Sequence, residues 1–136
     1  MGYTIKQAAE KMSLTAHTLR YYEKEGLLPF VERTENGIRV FTDSDLERLS
    51  VICCLKGTGM PIKKIKEYID LSLEGDATLE ERRQIFIRQR ESVLEQIQEL
   101  QKHLAKVNYK IQFYDQACSV HLSKSNCMNK PIKQSV

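Results

Sequence analysis

There is no tryptophan in the 136 residues, and no apolar run approaches the roughly 18 residues that a membrane-spanning helix needs. The opening "MGYTIKQAAEKM" carries Lys6, Glu10 and Lys11, which does not fit a secretory signal peptide. Four cysteines stand at spacings that suggest no disulfide framework, so a reducing, cytoplasmic location is expected. Strong charge is missing too. The net +3 comes from 21 basic and 18 acidic side chains, and residues 1–75 hold 11 of each. Bulk charge therefore does not argue for a nucleic-acid partner; local geometry has to. His17, His103 and His121 lie in three unrelated segments without a Ser/Asp pattern, which speaks against an enzyme.

What is present is helical punctuation. Thr4 with Gln7 makes a capping box, and Ile5, Ala8, Ala9 and Met12 follow at helical spacing. Thr15 is the expected N-cap of a second short helix, "AHTLRYYEKEG", with Gly26 as its stop. Two short helices joined by a brief turn predict a helix-turn-helix. "VERTENGIRVF" is β-prone, and its Asn36-Gly37 tip suits a tight hairpin in which both residues take positive φ, a plausible wing. Thr42 with Asp45 caps a third helix running to about Gly57. Pro61 belongs to the first turn of a fourth, "PIKKIKEYIDLSL".

After "EGDAT" the texture changes. Val93, Ile97, Leu100, Leu104, Val107, Ile111 and Tyr114 step by fours and threes as a heptad seam, and Phe86 and Leu79 continue one half of it backwards. A helix from Thr78 to Gln116 would be about 58 Å long. Nothing else in so small a chain could cover its seam, so a homodimer is favoured over a helix folded back on its own domain. The remaining "SVHLSKSNCMNKPIKQSV" reads as a polar tail, too short for a separate ligand domain. The expected division is a DNA-binding domain over 1–75, a coiled-coil helix over 76–118 and a tail over 119–136.

The second helix of a helix-turn-helix enters the major groove, and a wing reaches phosphates or the minor groove. Thr15, His17, Thr18 and Arg20 sit early in the second helix, Tyr21 and Tyr22 offer hydroxyls, and Arg33 and Arg39 flank the hairpin tip. A blander reading of "RYYEKEG" is a helix with half-buried tyrosines and solvated charges. A coiled-coil scaffold without DNA binding would leave the winged half unexplained.

With "YTIKQAAEKMSLTAHTLRYYEKEGLL", "GIRVFTDSDLERL", "LKGTGMPIKKIKEYI" and the long helix in this order, residues 3–115 resemble the MerR family of bacterial transcription regulators. One departure is Ile38, where the family more often has an aromatic before the wing arginine. The resemblance implies a mainly α fold: a winged helix-turn-helix followed by a long antiparallel coiled-coil dimerisation helix. It also implies a double-stranded promoter that the protein bends and untwists for RNA polymerase, with Arg20, Tyr21, Tyr22, Arg39 and Lys56 at DNA-contacting positions.

Cys53 and Cys54 point about 100° apart on a helix, so they do not easily share a metal or a disulfide. Cys53 reads as a small buried hydrophobe. Cys54 faces the more polar side, where it is either inert or a reactive thiol. The branch of the family that senses aldehydes, electrophiles and nitrosative stress carries one cysteine here, in a motif similar to "CLKGTGMP", and "LEGDATLEERR" and "KIQFYD" also resemble that branch. The resemblance thus implies Cys54 as the sensor and no cofactor. The alternative is copper or zinc held by Cys118 and Cys127, with His121 as a further ligand, in a loop after the long helix. "LEGDATLEERR" contains neither the Cys nor a His that several metal sensors of the family place at the start of that helix.

Overall fold

The computed structural model describes residues 2–125. Helix α1 spans Ile5–Lys11 and α2 spans Ala16–Lys24. Strands β1 (Glu32–Arg33) and β2 (Arg39–Val40) form an antiparallel hairpin. They are followed by α3 (Asp43–Gly57), α4 (Ile62–Leu73), a 3-10 turn at Gly75–Thr78, and α5 (Leu79–Ser125). The fold is mainly helical, with a small β wing ahead of one long C-terminal helix. Two compact units divide between Ser92 and Val93.

The caps lie where the sequence puts them. Thr4 and Gln7 exchange side-chain and backbone hydrogen bonds, as do Thr42 and Asp45, so each pair satisfies two donors that a helix start would leave orphaned. The Thr15 hydroxyl accepts from the amide of Thr18. Helix α2 closes in a Schellman motif: Gly26, at φ +83°, donates to the Glu23 carbonyl while Leu27 donates to that of Tyr22. This turn drives Leu27 and Leu28 into the core.

That core belongs to the first unit. Leu19, Leu27, Phe41, Leu49, Ile52, Leu55 and Ile65 are its largest fully buried side chains, each contributing about 1.5–3 kcal/mol by leaving water. The small Ala8 and Ala9, also buried, let α1 approach α2 closely. The N-terminal residues are pinned by a backbone bridge from Tyr3 to Phe41 and by the Tyr3 hydroxyl donating to Asp43.

Three expectations are corrected. In the hairpin, Glu32 pairs with Val40 and Arg33 with Arg39, and only Gly37 has positive φ. The Gly37 amide donates to Thr34 and the Thr34 amide to Ile38, so a three-residue loop replaces the two-residue turn expected at Asn36-Gly37. Pro61 is the extended N-cap of α4 rather than a residue of its first turn. Finally, α5 passes Gln116 and runs to Ser125, into the stretch expected as tail. The reason is legible afterwards: no Gly or Pro interrupts the chain between Gly75 and Pro131.

Candidate DNA interface

On α2, His17, Arg20, Tyr21 and Lys24 are exposed at helical spacing, while Leu19 and Tyr22 point into the core. Thr15 and Thr18 share a hydroxyl hydrogen bond of 2.9 Å at the start of this face, with Thr18 half-buried. The two tyrosines therefore part company: Tyr21 is 45% exposed and the Tyr22 residue only 5%, its ring packed in the core. Burial, then neighbouring Cys53 and Tyr21, push the Tyr22 hydroxyl above its ordinary range, which keeps it protonated and neutral.

The wing arginines meet a partner on α2 that sequence reading missed. Glu23 receives the Arg39 Nε at 2.5 Å and the Arg33 Nη2 at 3.2 and 3.3 Å on its two oxygens. Arg33 also donates its Nη1 to the Gly37 carbonyl at 2.6 Å, across the hairpin loop. The pairing spans ten and sixteen residues of chain, and no local spacing signals it. Lys56 is exposed in the last turn of α3.

The adjacent cysteines of α3 also separate. Cys53 is half-buried against the core, and burial pushes its thiol up and so disfavours thiolate. Cys54 is exposed, a free thiol two residues before Lys56. The Thr58 amide donates to the Cys54 carbonyl, and the Thr58 hydroxyl accepts a 2.6 Å hydrogen bond from Gln89 on α5.

Along α5, Phe86 stacks edge-on against Tyr68 of α4 with ring centroids 5.1 Å apart, so it serves the packing of the first unit. Val93 is half-buried. Ile97, Leu100, Leu104, Val107, Ile111 and Tyr114 are all exposed. Cys118 and His121 stand one turn apart on α5 itself, not in a loop, and Cys127 lies outside the described residues. Among the described residues no three His, Cys, Asp or Glu side chains are grouped to hold a metal ion. These two donors alone do not make the four-ligand set of a structural zinc site. No helix among the described residues is long and apolar enough to cross a membrane.

Comparison with known proteins agrees with this layout. Residues 3–72 match the MerR HTH family of regulatory proteins, and residues 46–114 match the MerR DNA-binding family. An uncharacterized HTH-type transcriptional regulator of Haemophilus influenzae is 50% identical over 117 residues, 86% of this chain and 87% of that protein. The HTH-type transcriptional regulator AdhR of Bacillus subtilis is 41% identical over 91 residues, 67% of this chain and 65% of its own. Among solved structures, HiNmlR, described as a MerR family regulator lacking the sensor domain and bound to promoter DNA, superposes with a TM-score of 0.83 at 47% identity. That match covers 93% of this chain and 100% of that one. A second helix with an exposed basic and aromatic face, a wing tied beside it and these matches agree: the chain belongs to the MerR family of DNA-binding, HTH-type transcriptional regulators.

Proposed function

We propose that this regulator binds promoter DNA as a homodimer and responds to thiol-reactive electrophiles through Cys54. The observation that carries the DNA reading is the exposed face of His17, Arg20, Tyr21 and Lys24 beside a wing anchored to the same helix. Arg20, Arg39 and Lys56 lie on three separate elements and grip phosphates; His17 and Thr18 are placed to reach base edges. Binding bends and untwists the promoter, at a deformation cost of a few kcal/mol, and control of that deformation decides whether RNA polymerase can use the site. The first unit grips DNA and α5 pairs the two copies.

The sensor reading rests on the contrast between the cysteines: Cys54 is open and Cys53 is packed. HiNmlR, described as lacking the sensor domain, is matched over its whole length, which supports looking for the sensor among the side chains of the shared segment. Against an unsaturated aldehyde or a quinone, the Cys54 sulfur adds to the electrophilic carbon. The thiol gives its proton to water, a sulfur–carbon bond forms, the π pair moves towards the carbonyl, and a proton returned from water completes the adduct. The added bulk sits in the last turns of α3, two residues before Lys56 along the chain.

Peptide mapping after a brief, substoichiometric dose of crotonaldehyde tests this, alongside anisotropy titrations on a duplex selected from a random pool. Adduct at Cys54 and not Cys53 is expected, with a changed complex on DNA that Cys54→Ser abolishes. A Cys54→Ser protein that still responds fully would overturn the sensor, and stoichiometric retention of copper(I) or zinc with an inert Cys54 would move sensing to Cys118 and its neighbours.

A further inference from the structure

We propose that Glu23 is the positioning residue of the DNA grip, and that it divides the wing arginines into one that braces and one that reaches for phosphate. The proposal rests on the DNA-binding reading above. Arg33 is engaged inside the protein through both terminal nitrogens: Nη1 closes the hairpin loop on the Gly37 carbonyl, and Nη2 spans both oxygens of Glu23. Arg39 gives Glu23 only its Nε. Among the described residues its two terminal nitrogens have no hydrogen-bond partner. An arginine anchored through Nε keeps a planar pair of terminal N–H donors aimed in a fixed direction, the geometry that matches two phosphate oxygens.

The charges fit the same division. A bare carboxylate beside a phosphate would repel it, but the Arg33 guanidinium offsets the Glu23 charge and leaves the Arg39 charge in surplus. Arg39 is also the more enclosed arginine, its side chain 21% exposed against 45% for Arg33, and so the better ordered before DNA arrives. Without Glu23 the two arginines would repel each other across a register pair of a two-residue ladder, and the wing would lose both ion pairs that tie it to α2. The carboxylate thus orients a phosphate donor and holds the wing to the recognition helix in one contact.

The test is a salt titration of binding to the selected duplex by the full-length protein, because each phosphate contact steepens the dependence of log K on log salt by about 0.9. Arg39→Ala is expected to lower the slope by about 1 per wing and to weaken binding about equally on unrelated sequences. Glu23→Gln keeps the side chain's shape and removes its charge. It is expected to lower the slope similarly and weaken binding about tenfold, with unchanged circular dichroism. Arg33→Ala is expected to leave the slope intact. Tighter binding by Glu23→Gln would overturn the proposal and make the carboxylate a competitor of phosphate; an unchanged slope would overturn it as well. Should Glu23→Gln fail to fold, the Arg33→Ala and Arg39→Ala pair decides, since equal slope losses contradict the division. Wild-type protein that binds no duplex at low salt would sink the DNA reading itself, which is distinguishable from a wild type that binds and a variant that does not differ.

Discussion

Ser13 holds a backbone conformation that glycine would hold more cheaply. It is the non-glycine residue with positive φ among the described residues, at +57°, between the two helices of the helix-turn-helix. Its amide donates to Glu10 and that of Leu14 to Ala9, so Ser13 fills the left-handed slot of a Schellman motif closing α1. An L side chain there costs about 1–2 kcal/mol, partly offset by the greater freedom glycine would have in the unfolded chain. Ser13→Gly is therefore expected to stabilise the protein by about 0.5–1 kcal/mol, read from the midpoint and slope of urea unfolding. Ser13→Val should lower the midpoint. Ser13 lies in the turn between α1 and α2, so a gain in stability with weaker DNA binding would mean that its conformation helps to hold α2 in place.

Between elements, one contact that couples the cysteine-bearing helix to the long helix is the hydrogen bond from Gln89 to Thr58. The Thr58 hydroxyl donates to the Leu55 carbonyl while accepting from Gln89, so it ends α3 and engages α5 with one oxygen. A second junction lies at the other end of α4. There the buried Thr78 donates to the Leu71 carbonyl, and Arg82 reaches both Thr78 and the Gly75 carbonyl. A double-mutant cycle of Thr58→Val and Gln89→Met is expected to give a coupling of about 0.5–1.5 kcal/mol in unfolding free energy. Additive effects would show that α3 and α5 are joined by apolar packing alone.

For the molecule as a whole, the described residues of the second unit form no buried core. Leu100 is 66% exposed and Leu104 57%, with Ile97, Val107 and Tyr114 similarly open along the seam. An isolated helix is marginal in water unless its apolar stripe is covered, and a second copy supplies a matching stripe at the same heptad spacing. Leu104→Asp removes a leucine worth about 1.5–3 kcal/mol from each copy and places a charge in the seam. The dimer dissociation constant should rise at least about a hundredfold, measured by sedimentation equilibrium. A variant that remains dimeric would place the interface elsewhere.

Much of this architecture is set by the order of residues alone. Caps are local, so Thr4, Thr15 and Thr42 announce three helix starts within four residues of sequence. The heptad seam is likewise a periodicity, but the helix expected from the sequence ends near Gln116, and only the structure carries it on to Ser125. The buried and open members of adjacent pairs were only half legible. Helix geometry turns Cys53 and Cys54 apart, but which tyrosine of "RYYE" is enclosed depends on where Cys53 and the core lie against α2. Glu23 was not legible at all. Its partners are ten and sixteen residues away, brought to it by a hairpin whose loop type the sequence also left open. Local hydrogen bonds and periodic apolar faces need only neighbouring residues to act, so the chain determines them by itself; ion pairs and burial need distant segments to meet, and only the tertiary structure decides those.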